Sequence, residues 1–324
     1  RKIFALSLAA VLALTPVQAF GKTVSITNVS YDPTREMFEQ YNKIFEEHWK
    51  EKTGEDVEIT QSHGGSGKQA LEVANGLDAL EYDIESIENA GLIKAGWIDN
   101  FDNDSSPYTS TIVFLVKKGN PKKIQDWDDL TRDGVGVVTP NPKTSGGARW
   151  NYMAAWAYAD KKYNGNETQM KDFIRKLYQN VVVLDSGARG ATTSFVENEQ
   201  GDVLVAWENE AYLSMRDYPD EYEIVTPSVS ILAQPTVAVV DEVVDYRDTR
   251  EVATEYLNYL YSDEAQEIEA ENYFRPTNEK ILKKHGDVFD LSVDLVNISE
   301  YGGWDEVQKK HFADDGIFDE IYER

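Results

Sequence analysis

The chain has 324 residues, 41% of them hydrophobic. That is enough to bury a large core and more than one typical domain holds, so a disordered protein is excluded and two lobes are expected. It carries 58 acidic against 32 basic residues, a formal charge of −26, which argues against nucleic acid as a partner because phosphate backbones select Lys- and Arg-rich surfaces. With no cysteine, neither disulfides nor thiolate metal sites can stabilise the fold, and packing must.

The first residues, Arg1-Lys2, an apolar run from Ile3 to Leu14, then Pro16-Val17-Gln18-Ala19, have the three zones of a secretory signal peptide with cleavage after Ala19. The apolar run is shorter than the roughly 20 residues a membrane-spanning helix needs. An exported protein, with residues 1-19 as its leader, is therefore expected.

Beyond the leader, short apolar, β-branched runs alternate with amphipathic stretches. Thr23–Ser30, Asp56–Ser62, Thr111–Lys117, Val135–Thr139, Val181–Asp185, Asp202–Trp207, Tyr222–Thr226 and Thr236–Val240 read as strands. The first helix should start at Asp32-Pro33, carry Met37, Phe38, Tyr41, Ile44, Phe45 and Trp49 on one face and stop at Gly54. Further helices are expected from Ser66 to Gly76, from Ser145 to about Gly165, and over about Gln169–Gln179, Arg250–Tyr261 and Asp263–Asn272, the last capped by Ser262. Alternation of this kind predicts an α/β fold with mainly parallel sheets flanked by helices.

Three strand-to-helix junctions share an unusual composition: Ser62-His63-Gly64-Gly65-Ser66-Gly67, Thr144-Ser145-Gly146-Gly147-Ala148 and Asp185-Ser186-Gly187-Ala188-Arg189-Gly190. Helix N-termini expose unpaired N–H groups and the positive end of the peptide dipole, and glycine lets a ligand approach the backbone, so such junctions can cradle an anion. One alone also serves as an ordinary turn; three in one chain point to a ligand. Enzyme signatures fail beside them. Gly64 to Gln69 lacks the glycine spacing and the magnesium-binding hydroxyl of a P-loop, neither Ser66 nor Ser145 completes a nucleophile elbow, and His48, His63, His285 and His311 are scattered without ligand spacing.

The chain resembles the periplasmic sulfate/thiosulfate-binding proteins from about Thr23 to Asp319. The matching motifs are Asn28 through Arg35, Gln61 through Gln69, Pro140-Asn141-Pro142-Lys143 through Tyr152, Leu184 through Gly190, Ala206-Trp207-Glu208-Asn209-Glu210, Phe274-Arg275-Pro276 and Gly302-Gly303-Trp304. Carried over position by position, the resemblance implies an anion site built from the backbone N–H of Asp32, Ser66, Gly146, Gly147 and Ala188, the hydroxyl of Ser145 and the indole N–H of Trp207. It implies no catalytic residue, cofactor or metal. Arg149 and Arg189 lie next to these donors and could support them, or could serve only as ordinary carboxylate partners. The Asp32 carboxylate is expected to turn from the anion and cap its own helix.

The same resemblance implies a two-lobed periplasmic-binding-protein fold of type II with a hinge: lobe I from 20-112 and 230-300, lobe II from 113-229, and a C-terminal segment 301-324 packed on them. It also implies a monomeric, periplasmic protein that delivers sulfate, or thiosulfate as the alternative ligand, to the permease and ATPase subunits of an ABC importer. A different class, an anion-ester hydrolase using the same cradle, would need a nucleophile, metal or base beside it. One departure stands out: between Gly76-Leu77-Asp78-Ala79 and Leu80-Glu81-Tyr82-Asp83 the family has an additional apolar strand of roughly six residues, and what remains here is too short for a typical strand.

Overall fold

A computed structural model describes residues 21–64 and 87–322. The leader, Ser66 with its helix, and the Ala79–Leu80 gap all lie outside the described residues. In the first lobe β1 (Thr23–Tyr31) pairs in parallel with β2 (Asp56–Gly64) along its whole length. A 3₁₀ turn, Asp32–Thr34, leads into α1 (Arg35–Thr53). Met37, Phe38, Tyr41, Phe45 and Trp49 recur at helical spacing and are all buried; Tyr41 and Phe45 each meet Tyr256 edge-on at 5.0 Å. The helix stops where Gly54 takes a left-handed conformation (φ 75°) and bonds Lys50 O at 2.8 Å, a conformation glycine adopts without steric cost.

The second lobe is built on β3 (Ile112–Lys117), β4 (Val137–Pro140), β5 (Val181–Asp185), β6 (Val203–Trp207) and β7 (Tyr222–Val225), arranged in the order β5-β4-β6-β3-β7. The parallel pairs are β4 with β5 and β6, whereas β3 runs antiparallel to both β6 and β7. Flanked on both edges and covered on both faces, β3 is apolar and buried from Ile112 to Val116. The helices α2 (Gly146–Tyr163), α3 (Glu167–Gln179), α4 (Ala188–Val196) and α5 (Glu208–Asp217) connect these strands. The helix α2 is buried almost all round, from Gly147 through Ala157, because residues near the C-terminus cover it. Phe312 meets Tyr152 at 5.0 Å, and Phe318 meets Tyr178 of α3 at 5.3 Å.

The segments around Ser110–Ile112 and Ser230–Ala233 lie side by side. Ser110 N donates to Ala233 O at 2.8 Å, Ala233 N to Ser110 O at 3.0 Å, and the Ser230 hydroxyl both accepts from Ile112 N and donates to Ile112 O. Ser262 caps Asp263–Glu271 as expected, accepting from Ala265 N at 3.2 Å. One expected strand is absent: Thr236–Val240 pairs with no strand among the described residues, and Val237 N instead bonds Ser105 O at 2.8 Å. A β-branched run makes a strand only where a neighbouring ladder exists to receive it.

Candidate anion site

The C-terminal ends of β1, β4, β5 and β6 converge; β6 ends in a predicted site residue, Trp207, and the other three hand over to a turn or helix that carries one. At the end of β4, the Asn141 carbonyl accepts from Thr144 N (3.0 Å) and Ser145 N (2.9 Å), while Asn141 N donates to Asp185 O (2.7 Å) and ties the loop to β5. Ser145 is extended (φ −130°, ψ 119°) and caps α2, its Oγ accepting from Ala148 N at 3.2 Å; as a hydroxyl it can still donate its own hydrogen. Thr144 Oγ1 donates to Ser186 O at 2.9 Å, drawing together the loops that open α2 and α4. Gly187, also extended, precedes α4, whose first residue is Ala188.

Gly147 shows how tightly these groups face one another. A Cβ built on it would lie 3.3 Å from Trp207 Nε1, 3.6 Å from Ser145 Oγ and 3.8 Å from the Ala188 Cβ. Trp207 ends β6, and its indole N–H donates to Gly147 O at 3.1 Å. Its ring is met edge-on by Tyr31 at 5.2 Å and by Trp150 at 6.4 Å. Tyr31 immediately precedes Asp32, so the first-lobe turn sits against the second-lobe donors; Asn209 Nδ2 also crosses to Pro33 O at 2.8 Å. Thus Asp32, Ser145, Gly146, Gly147, Ala188 and Trp207 come together at one cleft.

The Asp32 carboxylate caps nothing, contrary to expectation. The turn is closed by Thr34 Oγ1 donating to Tyr31 O at 2.9 Å, and Asp32 lies 3.9 Å from Arg35 instead. Partial burial raises its pKa against the opposing charge of Arg35. The two arginines part company. Arg149 Nε donates to Pro142 O at 2.8 Å, and its guanidinium lies 5.6 Å over the Phe312 ring, toward the C-terminal residues. Arg189 grips both Glu36 carboxylate oxygens across the cleft at 3.1 Å each and Glu210 at 3.0 Å, while Thr192 donates to the other Glu210 oxygen at 3.0 Å. Burial works against the Arg189 charge, but Glu210 and Glu36 outweigh it and keep its pKa above the ordinary value.

Two further carboxylates adjoin the cleft. Glu208, after Trp207, forms a buried bidentate pair with Arg275 at 2.8 Å on both arms; burial pushes its pKa up, with Arg275 pulling the other way. Glu210 is likewise pushed up by burial and held down by Arg189. The motif Trp207-Glu208-Asn209-Glu210 hinted at these residues, but their partners Arg275, Pro33 and Arg189 are distant in sequence. His63, at the end of β2, bonds the Ser30 hydroxyl through Nδ1 at 2.7 Å; burial, then Arg35, lowers its pKa to about 4, so it adds no charge at neutral pH. Among the described residues no cluster of three His, Cys, Asp or Glu could hold a metal.

A family model described as a bacterial extracellular solute-binding protein matches residues 26–275. The chain belongs to that family. Among curated relatives of this solute-binding protein, the sulfate-binding protein of Escherichia coli K12 is 56% identical over 97% of each chain. The thiosulfate-binding protein of Pseudomonas aeruginosa is 48% identical over 92% of each. The solved sulfate-binding protein SubI of Mycobacterium tuberculosis superposes with a TM-score of 0.79 at 31% identity, covering 88% of this chain and 98% of that one. The two-lobed α/β fold expected from the sequence is thereby established.

Proposed function

We propose that this solute-binding protein captures sulfate between its lobes and hands it to an ABC importer. The observation that carries the reading is the convergence of the α2 and α4 N-termini, the Ser145 hydroxyl and the Trp207 indole on the space around Gly147. Names of relatives on both sides, sulfate-binding and thiosulfate-binding, agree with a tetrahedral dianion, with sulfate favoured because the most similar relative cited above carries that name. Neighbouring arginines are engaged elsewhere, Arg189 by Glu36 and Glu210 and Arg275 by Glu208, so neutral dipoles must replace the hydration of the anion. Each hydrogen bond to an ionised group contributes about 1.5–3 kcal/mol.

Asp32, Ser66, Ser145, Gly146, Gly147, Ala188 and Trp207 form the proposed donor set, with the indole trading the Gly147 carbonyl for the anion. A shell of donors offers nothing to the proton that phosphate retains at neutral pH, so phosphate is refused. Ser145 Oγ accepts a bond from Ala148 N, and the relatives cited above are named as binding proteins, so we read the site as one that binds without chemistry. In this reading lobe I spans 20-112 and 230-300, lobe II 113-229, residues 301-324 pack on them, residues 1-19 direct export to the periplasm, and a monomer docks on the permease.

Calorimetric titration at neutral pH with sulfate, thiosulfate and phosphate tests the proposal. Sulfate and thiosulfate should bind and phosphate should not, and Trp207→Phe, which keeps the ring but removes the donor, should weaken sulfate binding about tenfold or more. A folded protein indifferent to both sulfur anions would overturn it.

A further inference from the structure

The loop that carries Ser145 is held from outside the cleft by the C-terminal residues. Lys143, two positions before Ser145, sends its ammonium to Phe312 O at 3.0 Å, Ala313 O at 3.2 Å and Asp319 Oδ2 at 2.7 Å. Phe312 ends a π-helical turn, Gln308–Phe312, so the cation satisfies carbonyls that the helix end leaves open. Six residues further along, the grip is repeated. Arg149 binds the loop carbonyl of Pro142 and lies over Phe312, and Tyr152 on the next turn of α2 bonds His311 Nδ1 at 3.0 Å. Exposed lysine pairs usually contribute little. This one has three acceptors, two of them backbone carbonyls, and its side chain is 27% exposed.

We infer that Lys143 is a positioning residue for the anion site and that the C-terminal residues 308–319 act as its anchor plate. Its backbone N–H also bonds Asn141 Oδ1 at 2.9 Å, so side chain and main chain together fix the turn that orients the Ser145 hydroxyl and the first N–H groups of α2. A donor shell that replaces hydration must be preorganised, since loop ordering at the moment of binding subtracts from affinity. The inference rests on the sulfate-binding reading for its affinity arm and on the protein alone for its second arm.

The test uses the full mature chain carrying Lys143→Met, Lys143→Arg and, as a milder release of the same anchor, Asp319→Asn. Lys143→Met should raise the sulfate dissociation constant about tenfold and Lys143→Arg should restore it to within about threefold, because a guanidinium can reach the same carbonyls. In the absence of sulfate, amide hydrogen exchange of Lys143→Met should quicken at Thr144 to Ala148 while the amides of β3 keep their protection. Asp319→Asn should move both readouts in the same direction by less. Unchanged exchange and affinity in Lys143→Met, or loss of protection spread evenly over the lobe in both Lys143→Met and Asp319→Asn, would overturn the inference. If the unaltered protein ignores sulfate, the functional reading fails, and local exchange still decides whether Lys143 positions the loop.

Discussion

Gly147→Ala should cost binding far more than it changes stability. Alanine favours a helix over glycine by about 1 kcal/mol, and Gly147 lies within the first turn of α2, so the backbone gains. The new methyl would approach Trp207 Nε1 to 3.3 Å and Ser145 Oγ to 3.6 Å, a crowding that a shift of a few tenths of an ångström relieves. The net melting temperature should therefore change by no more than about 3 °C in either direction. Binding has no such escape, because the methyl stands between the donors. Displacing one or two charge-assisted hydrogen bonds costs about 2–4 kcal/mol, on the order of 30- to 1,000-fold in affinity. Calorimetric titration with sulfate beside a thermal melt reads both quantities. Affinity within threefold of the unaltered protein, with folding intact, would refute the placement of the anion around Gly147.

Arg275→Met should lower stability by about 3–5 kcal/mol, because it strands the Glu208 carboxylate in the interior with both of its bonds removed; thermal melting checks this, and a loss under about 1 kcal/mol would show the pair to be dispensable. Burial, then Lys310, lowers the His311 pKa from its ordinary 6.5 to about 3, so the unfolded chain binds the proton first as pH falls. Stability from this group is therefore complete above about pH 6.5 and declines as the pH falls toward 3, by about 3 kcal/mol between pH 6.5 and 4. Denaturant melts of the protein and of His311→Gln across that range should show the variant losing less stability on acidification, and parallel curves would refute the argument.

What could be read from the sequence was local. The stripe, start and stop of α1 lie within some twenty residues of one another, and the strand-to-helix junctions announce their backbone N–H groups by composition. Ser262 was recognisable as a cap for the same reason. Contacts between distant segments were not legible: Arg189 reaches Glu36, 153 positions away in sequence, and Lys143 reaches Asp319, 176 positions away, and neither spacing leaves a periodic trace. Thr236–Val240 has the composition of a strand, but composition does not supply the neighbouring ladder that would make it one. Asp32 before Pro33 has the pattern of a cap, yet Thr34 closes the turn first and leaves the carboxylate beside Arg35.

The pairing of charges around the cleft explains how a chain of net charge −26 can hold a dianion. The carboxylates described around the cleft each have a guanidinium partner: Asp32 faces Arg35, Glu36 and Glu210 share Arg189, and Glu208 has Arg275. At short range these opposite charges largely cancel, and the remaining surface excess is screened over about 8 Å at physiological ionic strength. In the site proposed above, an anion between the lobes meets the field of the α2 and α4 N-termini, a hydroxyl and an indole, all neutral. Removing a positive partner should consequently do more harm through the carboxylate it frees than through the charge it takes away. The Arg189 cluster illustrates the distinction: replacing Arg189, Glu36 and Glu210 together by neutral residues leaves no carboxylate stranded, whereas replacing Arg189 alone leaves Glu36 and Glu210 facing the site.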